Sequence, residues 1–593
     1  MGFPLLQRHS DFPHFDLTSD SVPAKIGPST TRMIFCFDIL IICIIKKWMT
    51  NQAGFQLKRQ VLGAIPVIDP FIGKIGLLKI LAEAMGNERY AEAIILLVKN
   101  VMIERNALYA IKEWSAQFDP TLIHGGNFGD DTLARALDRL FDADRASLQT
   151  HIVLGAVKAY EIDVGEIHQD TTSVTVSGNY ANQNKKAIQL KRGHSKDHRP
   201  DLKQLVYELS VSRDGAIPIH YKSHDGNRTD DTIHWENWQS LRGILGRSDF
   251  LYVADSKLCV SKILLAIDRA QGRFITIMPR TRAETKEFSF KVEASFVRWE
   301  KVFAKRCSRK SKRINLFEVA TGIYQMREGF KIFWYRSSEK SRRDWNAREE
   351  RIASAMDHLR SLADPMKKKK PKTEAALKRR ADKILSRFDV RTWIKVDIAL
   401  ERVEKFKQLK RGRAGEDTAY RKLVHFVPRI SCTRNENAIA QSEAMDGIFP
   451  LVTNTELDAS AILKSYKYQP QLEKRHTLLK SGLSVAPIFL KKNDRIEALM
   501  FVYFIAQLLC ALLERELKQK MNRRNIRQIQ VLPEERPSTN PTAEQVLRIF
   551  YPCARHLLIS KRGGVPVQAF SDPLSKIQQQ ILELLAVPLG AYG

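Results

Sequence analysis

The chain has 593 residues, enough for several domains with cores of their own. Hydrophobic content of 44% and charged content of 27% are those of a globular protein and exclude a disordered or collagen-like chain. The 96 Lys+Arg against 66 Asp+Glu give a net charge of +30, which favours a polyanionic partner, most simply nucleic acid.

The seven cysteines (Cys36, Cys43, Cys259, Cys307, Cys432, Cys510 and Cys553) are scattered, odd in number and free of any CxxC pair. This pattern suits a reducing cytosol rather than a disulfide framework or a zinc module. The apolar run at 33–45 is broken by Asp38 and too short to span a bilayer, and the run at 498–513, with Gln507 inside it, reads as a buried core helix. No membrane segment is expected. No GxxxxGK[ST] loop occurs, so no nucleotide cofactor is indicated.

Residues 1–60 read as a variable or disordered lead-in. Residues 61–155 space their apolar side chains by three and four, which predicts a helical N-terminal domain. Such helices can hold a helix-turn-helix for DNA ends or serve only as a scaffold. From Glu161 the texture changes. EIDVGEIHQDTTSVTVSG, QLVYELSVS and IPIHYKSHDG read as three strands, with the Arg213-Asp214-Gly215 turn between the last two. A helix over 230–245, the strand FLYVADS, the helix SKILLAIDRAQG and the strand RFITIMP complete residues 156–282. The order predicts an α/β fold: a mixed five-stranded sheet, antiparallel then parallel, with flanking helices.

Residues 283–454 read as a basic α+β insertion into that core. FSFKVEASF, INLFEVATGIY and FKIFWYRS look like strands, whereas ADPMKKKKPKTEAALKRRADKILSRF and IALERVEKFKQLKRGRAGED look helical or solvated. Its basic clusters, Lys305 to Arg313, Lys367 to Lys370 and Lys378 to Arg380, suit phosphate contacts, or simply a solvated face. Trp334 and Trp345 lie near the bases, where either can stack on an unpaired nucleotide or pack on a strand. Residues 455–520 read as the second part of the core, with SVAPIFL strand-like, and 521–593 as a tail with short helices.

Three acidic residues are candidates for chemistry. Asp170 and Asp255 sit on strand-like apolar runs, and Glu473 lies in YKYQPQLEKRHTLLK, where Pro470 suits a first helical turn. Two strand-borne aspartates and a helix-borne glutamate suit divalent metal held over a phosphodiester. Read singly, Asp255 serves equally as a helix cap, Asp170 as a turn residue and Glu473 as a surface ion-pair partner. The 193–199 loop, with Lys196 and Arg199, can place bases along DNA. Zinc at His194 and His198 lacks further ligands nearby.

The motifs HQDTTSVTVSGNY, GHSKDHRPDLKQLVYELSVSRDGAIPIHY, DGNRTDDT, YVADSKL and the late Y-x2-Q-x3-E-x6-K stretch occur in that order. Together, over about 65–513, they resemble bacterial insertion-sequence DDE transposases, in the branch with a Y-x2-R-x3-E-x6-K signature. The resemblance implies an RNase H-like core with Asp170, Asp255 and Glu473 as the catalytic triad. It also implies DNA contacts from Tyr466 and Lys480 near the cleaved end. Gln469 replaces the family arginine and loses a bidentate phosphate donor, for which Lys467 or Arg475 can compensate. The 218-residue separation of Asp255 and Glu473 matches the β-rich insertion of family members. Two Mg²⁺ (or Mn²⁺) ions, double-stranded DNA at element ends and target, a dimer on DNA, and a cytoplasmic, nucleoid-associated setting follow as expectations. The alternatives are an RNase H-like nuclease or resolvase that never joins DNA, and a degenerate DNA-binding remnant.

Overall fold

The computed structural model describes residues 55–123, 128–229, 233–307, 313–362, 373–560 and 564–593. Expectations for residues 1–54, for the start of the 230–245 helix and for the Lys367–Lys370 run lie outside them. The chain forms two compact units.

Strand β1 (Phe55–Val61) belongs to the smaller unit. The larger one begins with helices α1 (Ile65–Ile75), α2 (Leu77–Met85), α3 (Glu88–Ile103), α4 (Leu108–Ser115), α5 (Asp130–Asp142) and α6 (Arg145–Tyr160). Asn87 and Asp144 start α3 and α6 by accepting from the amides of Tyr90 and Ser147, donors that a helix start leaves open. Their apolar stripes, including Ile94, Leu97, Leu133, Leu137 and Leu140, are buried.

The sheet follows. Strands β2 (Glu166–Val176), β3 (Lys203–Ser212) and β4 (Pro218–His224) pair antiparallel. Helix α7 (His234–Leu245) leads to β5 (Leu251–Ala254), parallel to β2, and α8 (Ser261–Arg269) crosses to β6 (Arg273–Ile277), parallel to β5. The four residues of β5 are apolar and wholly buried, as in a strand covered on both faces.

The sheet does not stop at five strands. The chain continues through α9 (Ala283–Glu293), β7 (Trp299–Arg306), β8 (Ile314–Ala320), β9 (Lys331–Ser337), α10 (Ser338–Arg360), α11 (Glu374–Phe388), β10 (Ile394–Gln408), β11 (Tyr420–Arg434), α12 (Glu436–Ala444) and β12 (Ile448–Thr453). Strand β12 pairs antiparallel with both β6 and β9, giving a nine-stranded mixed sheet in the order β4-β3-β2-β5-β6-β12-β9-β8-β7. All six residues of β12 are buried, so β6 never becomes an edge.

Three local expectations are corrected. FSFKVEASF lies mostly in α9, where Glu284 and Phe288, four apart, share the buried side. SVAPIFL forms no strand. IALERVEKFKQ is not helical: it lies in β10, which pairs with β11 over fifteen residues as a separate two-stranded ribbon.

Helices α13 (Ala459–Tyr466), α14 (Gln469–Thr477), α15 (Asn493–Arg523), α16 (Ala543–Phe550) and α17 (Lys576–Leu585) complete the larger unit. On one sheet face Leu251, Val253, Ile275 and Leu451 pack with Ile462 and Leu463 of α13. On the other, Asn237 of α7 bonds Ser210 and Tyr252. Among the described residues α15 is the one helix long and apolar enough to cross a membrane, and it is buried within the fold. Its Phe501 and Phe504 meet Tyr221 of β4.

In the smaller unit β1 pairs antiparallel with β13 (Ala554–Ser560), which pairs with β14 (Pro566–Ser571). The end of the expected lead-in is therefore a strand, and the expected helical tail contains a hairpin.

Candidate active site

Strand β2 is unusual for a central strand, because His168, Gln169, Thr171, Thr172 and Ser173 are polar and buried. Such groups need partners, and theirs come from the elements around the site. The Lys196 ammonium donates to the Thr171 carbonyl at 2.5 Å, and its backbone N–H donates to Ser173 Oγ at 2.9 Å. His168 Nδ1 lies 2.7 Å from Gln469 Oε1, and its Nε2 lies 2.9 Å from Glu166 Oε1.

Parallel pairing places the two aspartates. Glu166, Ile167 and His168 stand opposite Leu251, Tyr252 and Val253. Carried two residues further, that register sets Asp170 level with Asp255, on strands roughly 4.8 Å apart. The backbone of Asp255 is still extended (φ −71°, ψ −172°), so the alternation of sides holds to that residue. Asp255 also accepts from the Lys257 amide at 3.0 Å, so it caps the following turn as well. Its side chain is 47% exposed and that of Asp170 is 28% exposed.

Helix α14 carries Glu473 and meets Asp170 through His476, whose Nε2 lies 3.7 Å from Asp170 Oδ2. Pro470 occupies its first turn. Three polar side chains fix the helix in place. Gln469 Nε2 donates to the Gln169 carbonyl at 3.1 Å. Buried Arg475 donates to the carbonyls of Ala216 and Gly215 at 3.0 and 2.9 Å and pairs with Glu514 at 2.6 Å. Gly215, at φ +80°, turns the chain so that its carbonyl meets Arg475. Gln507, within apolar α15, donates to the Arg475 carbonyl at 2.7 Å and accepts from Tyr207 Oη at 2.7 Å.

The electrostatics link the three carboxylates. Burial, and then the negative charges of Asp255, Glu473 and Asp170, push the Tyr466 phenol up to about 12. Partial burial would raise the Asp255 carboxyl, but His234, the Lys257 amide and the charge of Lys196 hold it below the ordinary aspartate value. Lys196 Nζ stands 3.6 Å from Asp170 Oδ1. One ammonium thus acts on both aspartates. Among the described residues no three His, Cys, Asp or Glu side chains are grouped tightly enough to hold a metal ion as they stand. The donor set of exposed and half-exposed carboxylates beside a neutralising cation is nonetheless the chemistry a hard divalent cation accepts.

The other expected DNA-contacting residues divide. Glu473 is exposed. The helix gives way to one π turn, Leu478–Gly482, and Lys480 pairs with Asp197 at 2.5 Å. The turn therefore joins the 193–199 loop above Asp170. Arg199 is exposed and bonds Asp201 at 2.8 and 2.9 Å. Gln469 is spent on His168 and Gln169, and Arg475 on the carbonyls, so neither offers itself to phosphate. Lys467 differs from both: its ammonium lies 5.0 Å from the Phe317 and Phe449 rings. Partial burial, then Arg343, Lys340 and Lys305, hold it below the ordinary lysine value. Gathered like charges of this kind favour an anion between them.

Trp334 is a correction. It is 1% exposed and stacks on Phe288 at 3.9 Å, because its position in β9 faces inward, so no base can reach it. Trp345 is 47% exposed.

Two histidines were missed. His234 Nε2 lies 3.7 Å from Asp255 Oδ1, and His476 Nε2 lies 3.7 Å from Asp170 Oδ2. Both are buried, and neither nitrogen has a hydrogen-bond partner. Burial, then Lys196 and Lys480, pull His476 down to about 3, so its ring is neutral near pH 7. His476 follows Glu473 by three helical positions, a signal the sequence does carry. His234 is brought in only by the fold.

No family model matches the chain, and no curated protein does. Among solved structures, the cryo-EM structure of a piggyBac transposase synaptic complex with hairpin DNA overlaps 84% of this chain and 82% of that one, at 7% identity and a TM-score of 0.37. A likeness at this level carries no assignment of fold or function. The insertion-sequence resemblance rests on the motifs quoted above.

Proposed function

We propose that this protein is a DNA transposase that cuts at element ends and transfers the freed 3′-hydroxyl into target DNA. In this reading an RNase H-like core carries Asp170, Asp255 and Glu473 as its catalytic carboxylates. What supports it is the β2–β5 register, which, continued two residues past His168 and Val253, sets Asp170 level with Asp255, while the charges of Glu473 and both aspartates reach the same Tyr466 hydroxyl. The strand arrangement, three antiparallel and two parallel, supports it, as does the net charge of +30.

Asp170, Asp255 and Glu473 would hold Mg²⁺ or Mn²⁺, which when bound supplies positive charge at the attacked phosphate. The chain's own residues do the rest. Lys467, with the cations of the insertion, holds the DNA backbone beside the site. Lys480 and Lys196 fix the 193–199 loop over Asp170. Tyr466, protonated at neutral pH, donates a hydrogen bond toward a phosphate oxygen. Water opens the first phosphodiester, and the 3′-hydroxyl so freed attacks the second. Two ends held together call for two copies on DNA.

The test is purified protein with Mg²⁺ and labelled duplex carrying the element's ends, beside an Asp255→Ala control. Metal-dependent cleavage followed by joining to a second DNA, absent from the control, is the expected result. Cleavage without joining would make the protein a nuclease, and binding without either reaction would make it a remnant.

A further inference from the structure

Among the described residues the ribbon β10–β11 pairs with no other strand. At its base Val396, Ile398 and Cys432 pack against the Ile352, Leu359 and Leu385 cluster of α10 and α11. Beyond Ala399 and Arg429 it leaves that support. Ten residues of strand, Ala399 to Gln408, reach about 30 Å at roughly 3.4 Å each. That is close to one turn of duplex DNA, roughly 34 Å.

Its two faces differ. Paired residues share a face, so Arg402 with Phe426, Glu404 with Val424, Phe406 with Lys422 and Gln408 with Tyr420 form one. There Phe406, Phe426 and Tyr420 are 65%, 57% and 50% exposed. Lys405 with Leu423 and Lys407 with Arg421 lie on the other. From Arg402 to Val424 eight basic residues stand against three acidic ones. Among the described residues, Glu404 pairs with Arg402 and Lys422, whereas Lys405, Lys407, Lys410, Arg411, Arg413 and Arg421 have no ion pair.

A free-standing ribbon with exposed rings set across from bases would be a poor solvent surface and an aggregation risk if nothing covered it. Its charge selects the occupant. A second copy of a chain at +30 would be repelled by a basic arm, whereas a polyanion would be drawn to it. A two-stranded ribbon fits the major groove of B-DNA, about 12 Å wide.

We infer that the β10–β11 ribbon is an arm that lies in a groove of duplex DNA, its bases on the phosphates and its Phe406–Phe426 face toward the base edges. This rests on the DNA reading above and adds the element and mode of contact.

The test uses the full chain and a 40-base-pair duplex, with affinity measured by fluorescence anisotropy across a salt series. Variant one carries Lys407→Gln, Lys410→Gln, Arg411→Gln, Arg413→Gln and Arg421→Gln. Variant two carries Phe406→Ser and Phe426→Ser. All seven side chains are exposed, and circular dichroism with thermal melting verifies folding. Each lost phosphate contact lowers the slope of log K against log salt by about 0.9. Variant one should flatten the slope by about 3 or more, and variant two should weaken binding at least about tenfold with the slope unchanged. Unchanged affinity and slope in both variants, with wild-type binding intact, would overturn the arm alone. A loss of self-association in sedimentation with DNA binding intact would overturn it in favour of a contact between copies. No duplex binding by wild type would overturn the DNA reading itself.

Discussion

Gln507→Leu asks whether polar contacts, rather than apolar packing, set the place of α14. Gln507 is fully buried, accepts from Tyr207 Oη and donates to the Arg475 carbonyl, both at 2.7 Å. Leucine fills similar space and makes neither bond. It leaves the Tyr207 hydroxyl buried without a partner, at about 1–3 kcal/mol, while the Arg475 carbonyl keeps the bond from the Leu478 amide. The single variant should therefore lose about 1–3 kcal/mol of stability. Adding Tyr207→Phe removes that orphaned hydroxyl, so Y207F/Q507L should recover most of the loss relative to Q507L. The four proteins of this cycle would be compared by scanning calorimetry, with hydrogen exchange reporting the α14 amides. Earlier exchange of α14 than of distal α1 amides is expected in Q507L. A melting temperature for Q507L equal to wild type, or a double variant no more stable than Q507L, would refute the reasoning.

Other outcomes follow from the same geometry. The Arg495 guanidinium, through bonds of 2.6 and 2.7 Å, holds Asp138 below the ordinary aspartate range. A depressed carboxylate contributes stability that is present above its unfolded value, near pH 4, and lost as pH falls through the lower folded value. Arg495→Gln should thus lower the melting temperature at pH 7 and have little effect near pH 2; an equal shift at both would contradict the pairing. Because the three carboxylates help push Tyr466 up to about 12, Asp255→Asn and Glu473→Gln should each lower its titration midpoint. The ultraviolet difference between each variant and its Tyr466→Phe partner reads this without any activity; unmoved midpoints would separate the carboxylates. Trp334→Ala should cost about 3–5 kcal/mol by emptying a packed site, with duplex affinity per folded molecule unchanged. A selective loss of affinity would restore a DNA role for Trp334.

The strand setting of Asp170 and Asp255 was legible from local pattern: Asp170 lies within β2 and Asp255 directly follows β5. Glu473 was legible through Pro470, which marks a helix start whatever the helix later packs against. The insertion was harder. The exposed β7 shows no regular apolar alternation, and in β10 the alternation of Ile394, Val396, Ile398 and Leu400 gives way to a charged run, so local pattern alone does not mark these strands. The aromatic FSF run suggests a strand, but burial at Glu284 and Phe288 follows a helical period. Trp334 shows the same gap: which way a strand residue faces depends on register, and its register is set by β12, more than a hundred residues later. The spatial pairing of His234 with Asp255 is likewise a product of the closed sheet and unreadable beforehand.

Polar residues that break the pattern of their own elements converge on α14. Gln469, Arg475 and Gln507 are each the wrong type for an apolar contact, and each ends on that helix or begins from it. Apolar packing is nondirectional and rewards buried area more than orientation. A helix held that way can rotate, and one residue of slip turns Glu473 by about 100°. Hydrogen bonds with donor–acceptor distances confined to about 2.7–3.2 Å permit no such freedom. A buried polar anchor adds little net stability over an apolar one, so its value here lies in direction. That explains why Gln507 interrupts the long apolar run of α15 at the level of Arg475. It also explains why the glutamine at 469, though it lacks the charge of an arginine, serves the site: it fixes the start of the helix that carries Glu473 to the sheet strand that carries Asp170.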